Sequence, residues 1–372
     1  MTEQGLDKSI NQRIPELDGL RGIAILLVVS FHYVNNQLIN TGNFIGKILS
    51  KLTYFGWVGV DFFFVLSGFL IGSILIKNRN STNYFSTFYF RRLMRIVPNY
   101  YLLICLFILI LNIPFFAKNT FLTGNNILPA WSYFMMVHNF FMGSLNNMGN
   151  DSISVTWSIG IEEQFYILFP LIVFFLKGKW LPYVLVIFII SASIIRLQFS
   201  SWIPAYVLLP CRMDAISLGA LLAYYNQQYN LNDIVRKHFI FFVIVLVMDV
   251  AICGIFYTVY DDLGSVKHTL FVVFFTIGIL FALTKKQSWY GYLLRNKLLI
   301  WVGTISYSLY LFHYMILGLF HQIVSNKIGL GINNSKDIMV TLLALFSAIL
   351  FSWGIYKLME LPLVNWGKKI KY

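Results

Sequence analysis

The chain has 372 residues, of which 58% are hydrophobic, 18% are aromatic and only 12% are charged, and its mean hydropathy is +0.71. This composition excludes a soluble globular domain and is typical of a membrane protein with many spans. The formal net charge of +13 does not require a nucleic-acid partner, because membrane proteins concentrate Lys and Arg in their cytoplasmic loops.

Apolar segments of about 17 to 25 residues predict an all-α fold with ten transmembrane helices. These segments lie near residues 22–39, 57–76, 97–113, 155–176, 180–196, 205–225, 238–258, 266–284, 298–323 and 338–360. The longest connection is 114–154, and its apolar part is too short to span a bilayer. We expect that part to lie at the membrane interface or to re-enter the membrane.

The distribution of Lys and Arg predicts the orientation in the lipid bilayer. With the N-terminus inside, nineteen of the 28 Lys and Arg residues fall on the inner side, including Lys8 and Arg13. Eight fall outside or in the outer halves of helices, including Lys118 and Lys327. By the positive-inside rule, both termini are predicted to be cytoplasmic. No small-residue cleavage site follows the first apolar run, so we expect no cleaved signal peptide.

The first predicted span contains two ionisable residues, Arg21 and His32, eleven positions apart. This spacing puts both on one helical face, separated by roughly 16 Å of helix rise. Arg21 is then at the membrane surface and His32 near the middle of the membrane. Because an ionisable group in hydrocarbon costs several kcal/mol, its default interpretation is functional. The alternative is that His32 only hydrogen-bonds to a neighbouring helix.

Two arginines, Arg92 and Arg95, are expected on one face at the inner start of the third span, because they are three positions apart. Alone they are typical of a positive-inside anchor. Together with Arg21 at the same membrane face, they predict a site for a cytosolic ligand with several phosphates, since guanidinium groups bind phosphate in a bidentate way.

The fourth span contains two adjacent acids, Glu162 and Glu163, about one and a half to two turns below its outer end. A carboxylate descending on this helix is expected at the depth of His32, as a general base and its orienting acid require. The alternative is that Glu162 is an interfacial residue that reaches water.

The later spans contain further polar residues. Arg212 and Asp214 are expected to compensate each other's charge and to shape an acceptor side. In the ninth span a polar stripe of Ser306, Tyr307, Tyr310 and His313 is expected to line a cavity, although Tyr and His also occur in interfacial belts.

Glycines in the SGF and SLG motifs are expected to let helices approach closely. The remaining histidines are interpreted as surface residues: His138, His238, His268 and His321.

Several catalytic motifs are absent from the sequence: a GxSxG elbow, a GxGxxG loop, a Walker-type loop and HExxH. Ser67 lies in an apolar helix with no local base, and the three cysteines have no metal or disulfide pattern. We therefore expect no metal site and no nucleotide hydrolysis. Two other classes remain open: a secondary transporter or glycan flippase, which uses midplane charges for coupling, and a non-catalytic scaffold.

Seven blocks carry a resemblance to a known family: RIPELDGLRGIA with the Arg21–His32 pair, DFFFVLSGFLI, FRRLMRIVPNYYL, WSIGIEEQFYILFP, CRMDAISLGALLA, ISYSLYLFH and the terminal ELP. In this order they resemble the acyltransferase 3 family of integral-membrane O-acyltransferases, which modify bacterial surface glycans. The resemblance spans nearly the whole chain. It implies a bacterial inner-membrane enzyme that takes an acyl group, here expected to be acetyl, from cytosolic acyl-coenzyme A as a co-substrate, with no permanently bound cofactor. The acceptor is a hydroxyl of a cell-surface or lipid-linked glycan.

The resemblance also implies roles for particular residues. Those that match the family's functional positions are Arg21, His32, Arg92, Arg95 and Glu162. Coenzyme A is then expected to bind with its phosphates against the three arginines. His32, oriented by Glu162, acts as a general base or forms an acyl-histidine. The expected supporting residues on the substrate side are Glu163, Arg212, Asp214, Ser306, Tyr307, Tyr310 and His313.

The chain departs from the family pattern in three ways. Gly160 replaces a common serine and Phe312 replaces the usual tryptophan before His313, but neither change removes a titratable group. Some relatives carry a fused extracytoplasmic domain that passes the acyl group onward. We expect a single membrane domain over 1–372 without that domain, acting directly on its acceptor or through a separate extracytoplasmic partner.

Overall fold

The computed structural model of the protein describes residues 14–38, 42–116, 121, 128–259, 266–325 and 330–372. All regular structure within these ranges is helical, without strands. Four residues used in predicting the orientation lie outside the described residues: Lys8, Arg13, Lys118 and Lys327.

Ten long helices form the bundle, and we number them in chain order. They are α1 (Pro15–Ser30), α2 (Gly59–Lys77), α3 (Tyr84–Leu111), α4 (Trp157–Phe175), α5 (Leu181–Arg196), α6 (Leu209–Gln228), α7 (Leu231–Val259), α8 (Val266–Thr284), α9 (Ser306–Ser325) and α10 (Ser335–Ile355). In the described ranges, nine helical segments are long and apolar enough to cross a membrane. A tenth candidate is α9 with the short helix before it, bent by 72°. The predicted all-α protein with about ten spans is confirmed.

Shorter helices connect the long ones: Phe44–Thr53, Ala130–Phe134, His138–Ser144, Asp151–Ser154, Trp202–Val207, Trp289–Leu294, Lys297–Thr304 and Leu361–Gly367. Three of them occupy the connection between α3 and α4, and the longest of the three has 7 residues. The described part of that connection therefore contains no helix long enough to span, as its sequence predicts.

The helix α3 begins at Tyr84, thirteen residues before the predicted span. Arg92 and Arg95 thus lie in the first half of a 28-residue helix and not at its start, which corrects the prediction. The extension is held by packing against α4, where the Tyr84 hydroxyl donates to the Pro170 carbonyl at 3.1 Å. Hydropathy detects only the apolar part of a helix that continues past the hydrocarbon.

The helices α2 and α6 approach closely at a pair of glycines. A Cβ atom on Gly68 would overlap the backbone carbonyl of Ile216, and one on Gly219 would overlap that of Val65. Each glycine thus accommodates the backbone of the other helix, which is how small residues let membrane helices pack. The close approach expected at the SGF and SLG motifs is confirmed.

Two helices end in a wider π-helical turn. The turn Phe31–Asn35 follows α1 and contains His32. The turn Tyr356–Glu360 follows α10 and contains the buried Glu360. Such turns insert an extra residue and rotate the following side chains, and they occur often at functional sites.

Candidate active site

The first of two adjoining cavities contains the arginines. This arginine cavity has a volume of about 180 Å³ and is bounded by α1, α2, α3, α4 and α9. Its polar lining includes Arg21, Arg92 and Arg95, together with the carboxylate of Glu162. The structure therefore brings the three predicted arginines together from two helices that are distant in sequence.

The arginine cavity has an excess of positive charge. Within the described ranges, no carboxylate lies at ion-pair distance from the guanidinium groups of Arg21, Arg92 or Arg95. The Arg92 guanidinium lies 5.9 Å from the ring centres of Phe88 and Tyr166. The lining thus has three cations and one carboxylate, while Asp18 and Glu360 interact with Arg21 from outside the lining. A lining of this charge favours an anionic ligand, because guanidinium groups bind phosphate and carboxylate strongly.

Glu162 lies beside a hydrogen-bonded pair in this cavity. The side chain of Tyr166, one turn along α4, lines the cavity with the Glu162 carboxylate. Ser67 of α2 hydrogen-bonds to the Tyr166 hydroxyl. Ser67, which has no base beside it in sequence, thus binds a tyrosine in the same cavity wall as the acid.

The second cavity, with a volume of about 310 Å³, contains His32 and is called the histidine cavity. Its walls are mainly aromatic, and its polar lining includes His268 and Lys267. The aromatic residues of the lining are Phe31, Trp57, Trp157, Trp202, Tyr206, Tyr310 and Tyr314. An apolar pocket with a few convergent polar groups is the usual form of a small-molecule site.

His32 is hydrogen-bonded to a second histidine, His313. Nδ1 of His313 lies 2.8 Å and 3.0 Å from the carbonyl oxygens of Tyr310 and Leu309, which can only accept. Nδ1 of His313 therefore carries the proton, and its Nε2 is an acceptor 2.9 Å from Nδ1 of His32. For two neutral rings, His32 must donate from Nδ1, so its Nε2 carries the free lone pair.

The prediction that Glu162 orients His32 is wrong. The hydrogen-bond partner of the His32 ring is His313, and Glu162 lines the other cavity. Ser158, at the start of α4, lies where the cavities adjoin, and Glu162 is one helical turn, about 6 Å, farther along the helix. That turn carries Glu162 to the depth of Arg21 instead of that of His32.

The two cavities meet at Val60 and Tyr310, which line both of them. The Tyr310 hydroxyl lies 2.7 Å from Oγ of Ser158 and donates to the Val155 carbonyl at 2.9 Å. We call Val60 and Tyr310 the junction. A ligand that fills both cavities would contact both of these residues.

Three residues of the predicted polar stripe of α9 line a cavity, and the fourth, His313, lies outside both linings. Ser306, Tyr307 and Tyr310 face the arginine cavity, and His313 supports His32 at the other end of the stripe. The Tyr307 hydroxyl donates to the Ile96 carbonyl of α3 at 2.8 Å. One helix therefore contributes to both parts of the site.

Arg212 and Asp214 do not pair with each other, contrary to the prediction. Arg212 pairs with Asp61 of α2. Asp214 pairs with Arg196 of α5 at 2.8 Å and accepts a hydrogen bond from Thr269 of α8 at 3.0 Å. Residues two positions apart point about 200° away from each other around a helix, so they face different neighbours.

Glu163 is a further predicted residue outside the lining of both cavities. One of its carboxylate oxygens is buried without a hydrogen-bond partner in the described ranges. Its neighbour Glu162 points into the arginine cavity, and successive helical residues point about 100° apart. The expected place of Glu163 on the substrate side stays a prediction.

Three histidines interpreted as surface residues are buried: His138, His268 and His321, with exposed fractions of 0%, 6% and 1%. His238 is exposed, as predicted. Among the buried ones, His268 lines the histidine cavity, and its Nδ1 lies 3.2 Å from Oδ2 of Asp61. Asp61, an acid within an apolar segment, was the sequence signal for this cluster.

Comparisons with known proteins agree with the blocks in the sequence. A family model described as an acyltransferase domain matches residues 14–357. O-acetyltransferase OatA of Staphylococcus aureus (strain NCTC 8325 / PS 47) is 29% identical over 84% of this chain and 52% of its own length. A putative O-acetyltransferase of S. aureus strain COL is 27% identical over 96% of this chain and 58% of its own length. The chain thus spans a little over half the length of these curated relatives. No solved structure matches.

Proposed function

The chain belongs to the acyltransferase family whose model matches residues 14–357, and from this premise we propose that it transfers an acetyl group from acetyl-coenzyme A to a hydroxyl of a surface or lipid-linked glycan. The printed names of the relatives, O-acetyltransferases, support the choice of acetyl. The observation that carries the proposal is the contact between an arginine-lined cavity and a histidine-lined one at Val60 and Tyr310.

The donor binds in the arginine cavity. Coenzyme A has several phosphate groups, and Arg21, Arg92 and Arg95 supply guanidinium groups there. Its thioester is at the end of a long flexible arm, which extends past the junction towards His32. With both termini cytoplasmic, as the distribution of Lys and Arg favours, this cavity faces the cytosol. The protein is then a multi-pass protein of a bacterial inner membrane.

His32 acts on the acetyl group with its free Nε2 lone pair. It either accepts the proton of the acceptor hydroxyl or attacks the thioester carbon to form an acetyl-histidine. His313 supports both alternatives, because its Nε2 accepts the proton on Nδ1 of His32. A positive charge that develops on the His32 ring is then shared with a second imidazole.

Transfer of labelled acetyl tests this proposal. Purified protein in lipid nanodiscs is incubated with radiolabelled acetyl-coenzyme A and a surface-glycan extract, and label is expected in the glycan. We expect His32→Ala and Arg95→Ala each to reduce transfer at least about 100-fold, the usual range for the loss of an acid–base or charge-stabilising group. The proposed mechanism fails if both variants transfer as well as the parent protein.

Arg91→Ala is the matched control, because Arg91 is on the same helix but donates to the Ile370 carbonyl outside the cavity. A transporter or flippase would move glycan across the membrane without labelling it. A scaffold would leave surface acetylation intact in cells that carry His32→Ala. Mass spectrometry of surface polysaccharide from a deletion strain identifies the acceptor, which is modified either directly or through a separate extracytoplasmic partner.

A further inference from the structure

A second histidine with a free ring nitrogen lines the histidine cavity. Nδ1 of His268 lies 3.2 Å from Oδ2 of Asp61. The His268 ring is packed beside Trp57 and Tyr206, with ring centres 5.1 Å and 5.7 Å away. Within the described ranges the ring hydrogen-bonds through Nδ1 alone, and the side chain lines the cavity. The proposed function does not use this residue.

The charges behind His268 determine which ring nitrogen is protonated. Asp61 pairs with Arg212, and both side chains are buried. A second buried pair, Arg196 with Asp214, lies beside them. The negative charges of two acids and the positive charges of two arginines cancel in this cluster. Asp61 therefore remains an ionised carboxylate, which can only accept a hydrogen bond. Nδ1 of His268 therefore donates to Asp61, and its Nε2 presents a lone pair to the cavity.

The same cavity thus contains two neutral imidazoles with lone pairs on Nε2. His32 is attached to the end of α1 and contacts α9, which contributes Tyr310 to the junction. His268 lies on α8 among aromatic rings, whose flat apolar faces suit the face of a sugar ring. A histidine oriented by a buried carboxylate is the arrangement by which enzymes prepare a general base.

We propose, resting on the proposed function, that His268 is the base that accepts the proton of the acceptor hydroxyl, and that His32 acts on the acetyl donor. In this step the hydroxyl O–H bond breaks and its proton moves to Nε2 of His268. The oxygen forms the ester bond with the acetyl carbon. The bond from that carbon to its carrier, the sulfur of coenzyme A or Nε2 of His32, breaks with its electron pair on the carrier. If the carrier is coenzyme A, His268 then gives the proton to its sulfur. If the carrier is His32, whose ring becomes neutral again when the acetyl group leaves, His268 gives the proton to the coenzyme A thiolate that was released when His32 took the acetyl group.

Acceptors of graded acidity test this assignment. Acetyl transfer is measured with glycan extract, ethanol and trifluoroethanol, each at millimolar concentration, for the parent protein and for His268→Gln. A general base typically accelerates a reaction about 100- to 10,000-fold. We therefore expect His268→Gln to transfer acetyl more slowly by a factor of this size when the acceptor is glycan or ethanol. The loss with trifluoroethanol should be at least tenfold smaller, because a more acidic hydroxyl needs less help from a base. Imidazole should partly restore transfer by His268→Ala.

Controls separate this role from folding. His238→Gln changes an exposed histidine and should transfer to all acceptors like the parent protein. Asp61→Asn should show the same dependence on acceptor acidity as His268→Gln, and its unfolding temperature in detergent reports whether the buried pair with Arg212 is still in place. If Asp61→Asn does not fold, the comparison of His268→Gln with His268→Ala and imidazole remains.

Two results overturn the inference alone: unchanged transfer by His268→Gln, or a loss that is equal for all three acceptors, which indicates a structural role. If the parent protein transfers acetyl to none of them, the proposed function itself fails and the inference falls with it.

Discussion

At the scale of single residues, the hydrogen bond between His32 and His313 determines where the protons are. Two backbone carbonyls bind Nδ1 of His313, so its Nε2 is available as the acceptor for His32. The hydroxyl of Tyr33 donates to the His313 backbone carbonyl at 2.7 Å, which ties the end of α1 to α9. The ring nitrogen of His32 that presents a lone pair is therefore selected by residues of another helix.

His313→Leu removes this acceptor, and we expect slower transfer. Losing a hydrogen bond to a group that becomes charged costs about 1.5 to 3 kcal/mol, which corresponds to a rate roughly 10- to 100-fold lower. His313→Gln, whose side-chain oxygen can replace Nε2, should retain more activity. Rates of labelled acetyl transfer with saturating donor measure the effect. Equal rates for His313→Leu and the parent protein would contradict this role.

A buried histidine outside the spans predicts acid sensitivity. Burial lowers the pKa of His138 to about 4, and its Nε2 lies 2.9 Å from Oγ1 of Thr156. Between pH 6.5 and 4 the unfolded chain binds a proton at this residue that the folded chain does not bind. The free energy of unfolding therefore falls as the pH falls through this window, with a slope of up to about 1.4 kcal/mol per pH unit.

His138→Gln should reduce the slope of the free energy of unfolding against pH by up to the contribution of one bound proton. His238→Gln should leave this slope unchanged. Unfolding temperatures of the purified protein at several pH values between 7.5 and 4 measure the slope. An identical slope for His138→Gln and the parent protein would rule out this residue as the source.

At the scale of elements, the contact between α2 and α6 supports both cavities. The helix α2 contributes Val60 and Ser67 to the cavity walls and Asp61 to the buried cluster. Its distance from α6 is determined by Gly68 and Gly219, each of which lies against a backbone carbonyl of the other helix. A wider separation here would shift the partners of His268 as well as the lining of the arginine cavity.

Gly68→Ala should therefore destabilise the protein. A Cβ at this position overlaps backbone and not a movable side chain, and overpacking typically costs about 1 to 3 kcal/mol. Gly354→Ala is the matched control, because no atom lies within 4 Å of a Cβ there. Thermal unfolding in detergent compares the two variants. Equal unfolding temperatures for Gly68→Ala and Gly354→Ala would show that α2 and α6 can separate without cost.

At the scale of the whole molecule, two cavities adjoin and share Val60 and Tyr310 in their linings. The arginine cavity and the two histidines of the other cavity are contributed by helices from both ends of the chain, α1 to α4 and α8 to α9. In the proposed reaction the acetyl group passes Val60 and Tyr310 while the phosphates stay among the arginines. Binding and transfer are thereby separated in space.

Val60→Trp should block the junction and separate these two steps experimentally. We expect labelled coenzyme A still to bind, because Arg21, Arg92 and Arg95 are unchanged, while acetyl transfer falls at least about tenfold from misplacement of the thioester. Val186→Trp, at a position that is 41% exposed on the outside of α5, is the control for added bulk. Retained transfer by Val60→Trp would mean that the acetyl group takes another path.

Composition and local pattern were sufficient for the class of the molecule. The apolar runs predict about ten helices because each span must satisfy its own backbone hydrogen bonds in lipid. The shared face of Arg92 and Arg95 and the polar stripe of α9 follow from spacing along single helices, which periodicity describes well. The grouping of these two arginines with Arg21 followed from the membrane face at which all three were expected.

Contacts between helices were decided only by the tertiary structure. His32 is bound by His313 and not by Glu162, Arg212 and Asp214 have partners on separate helices, and His268 lies inside the protein. Helix periodicity specifies which residues share a face, but not the rotation and depth of one helix against the next. Those depend on close packing at positions such as Gly68 and on the π-helical turn that contains His32.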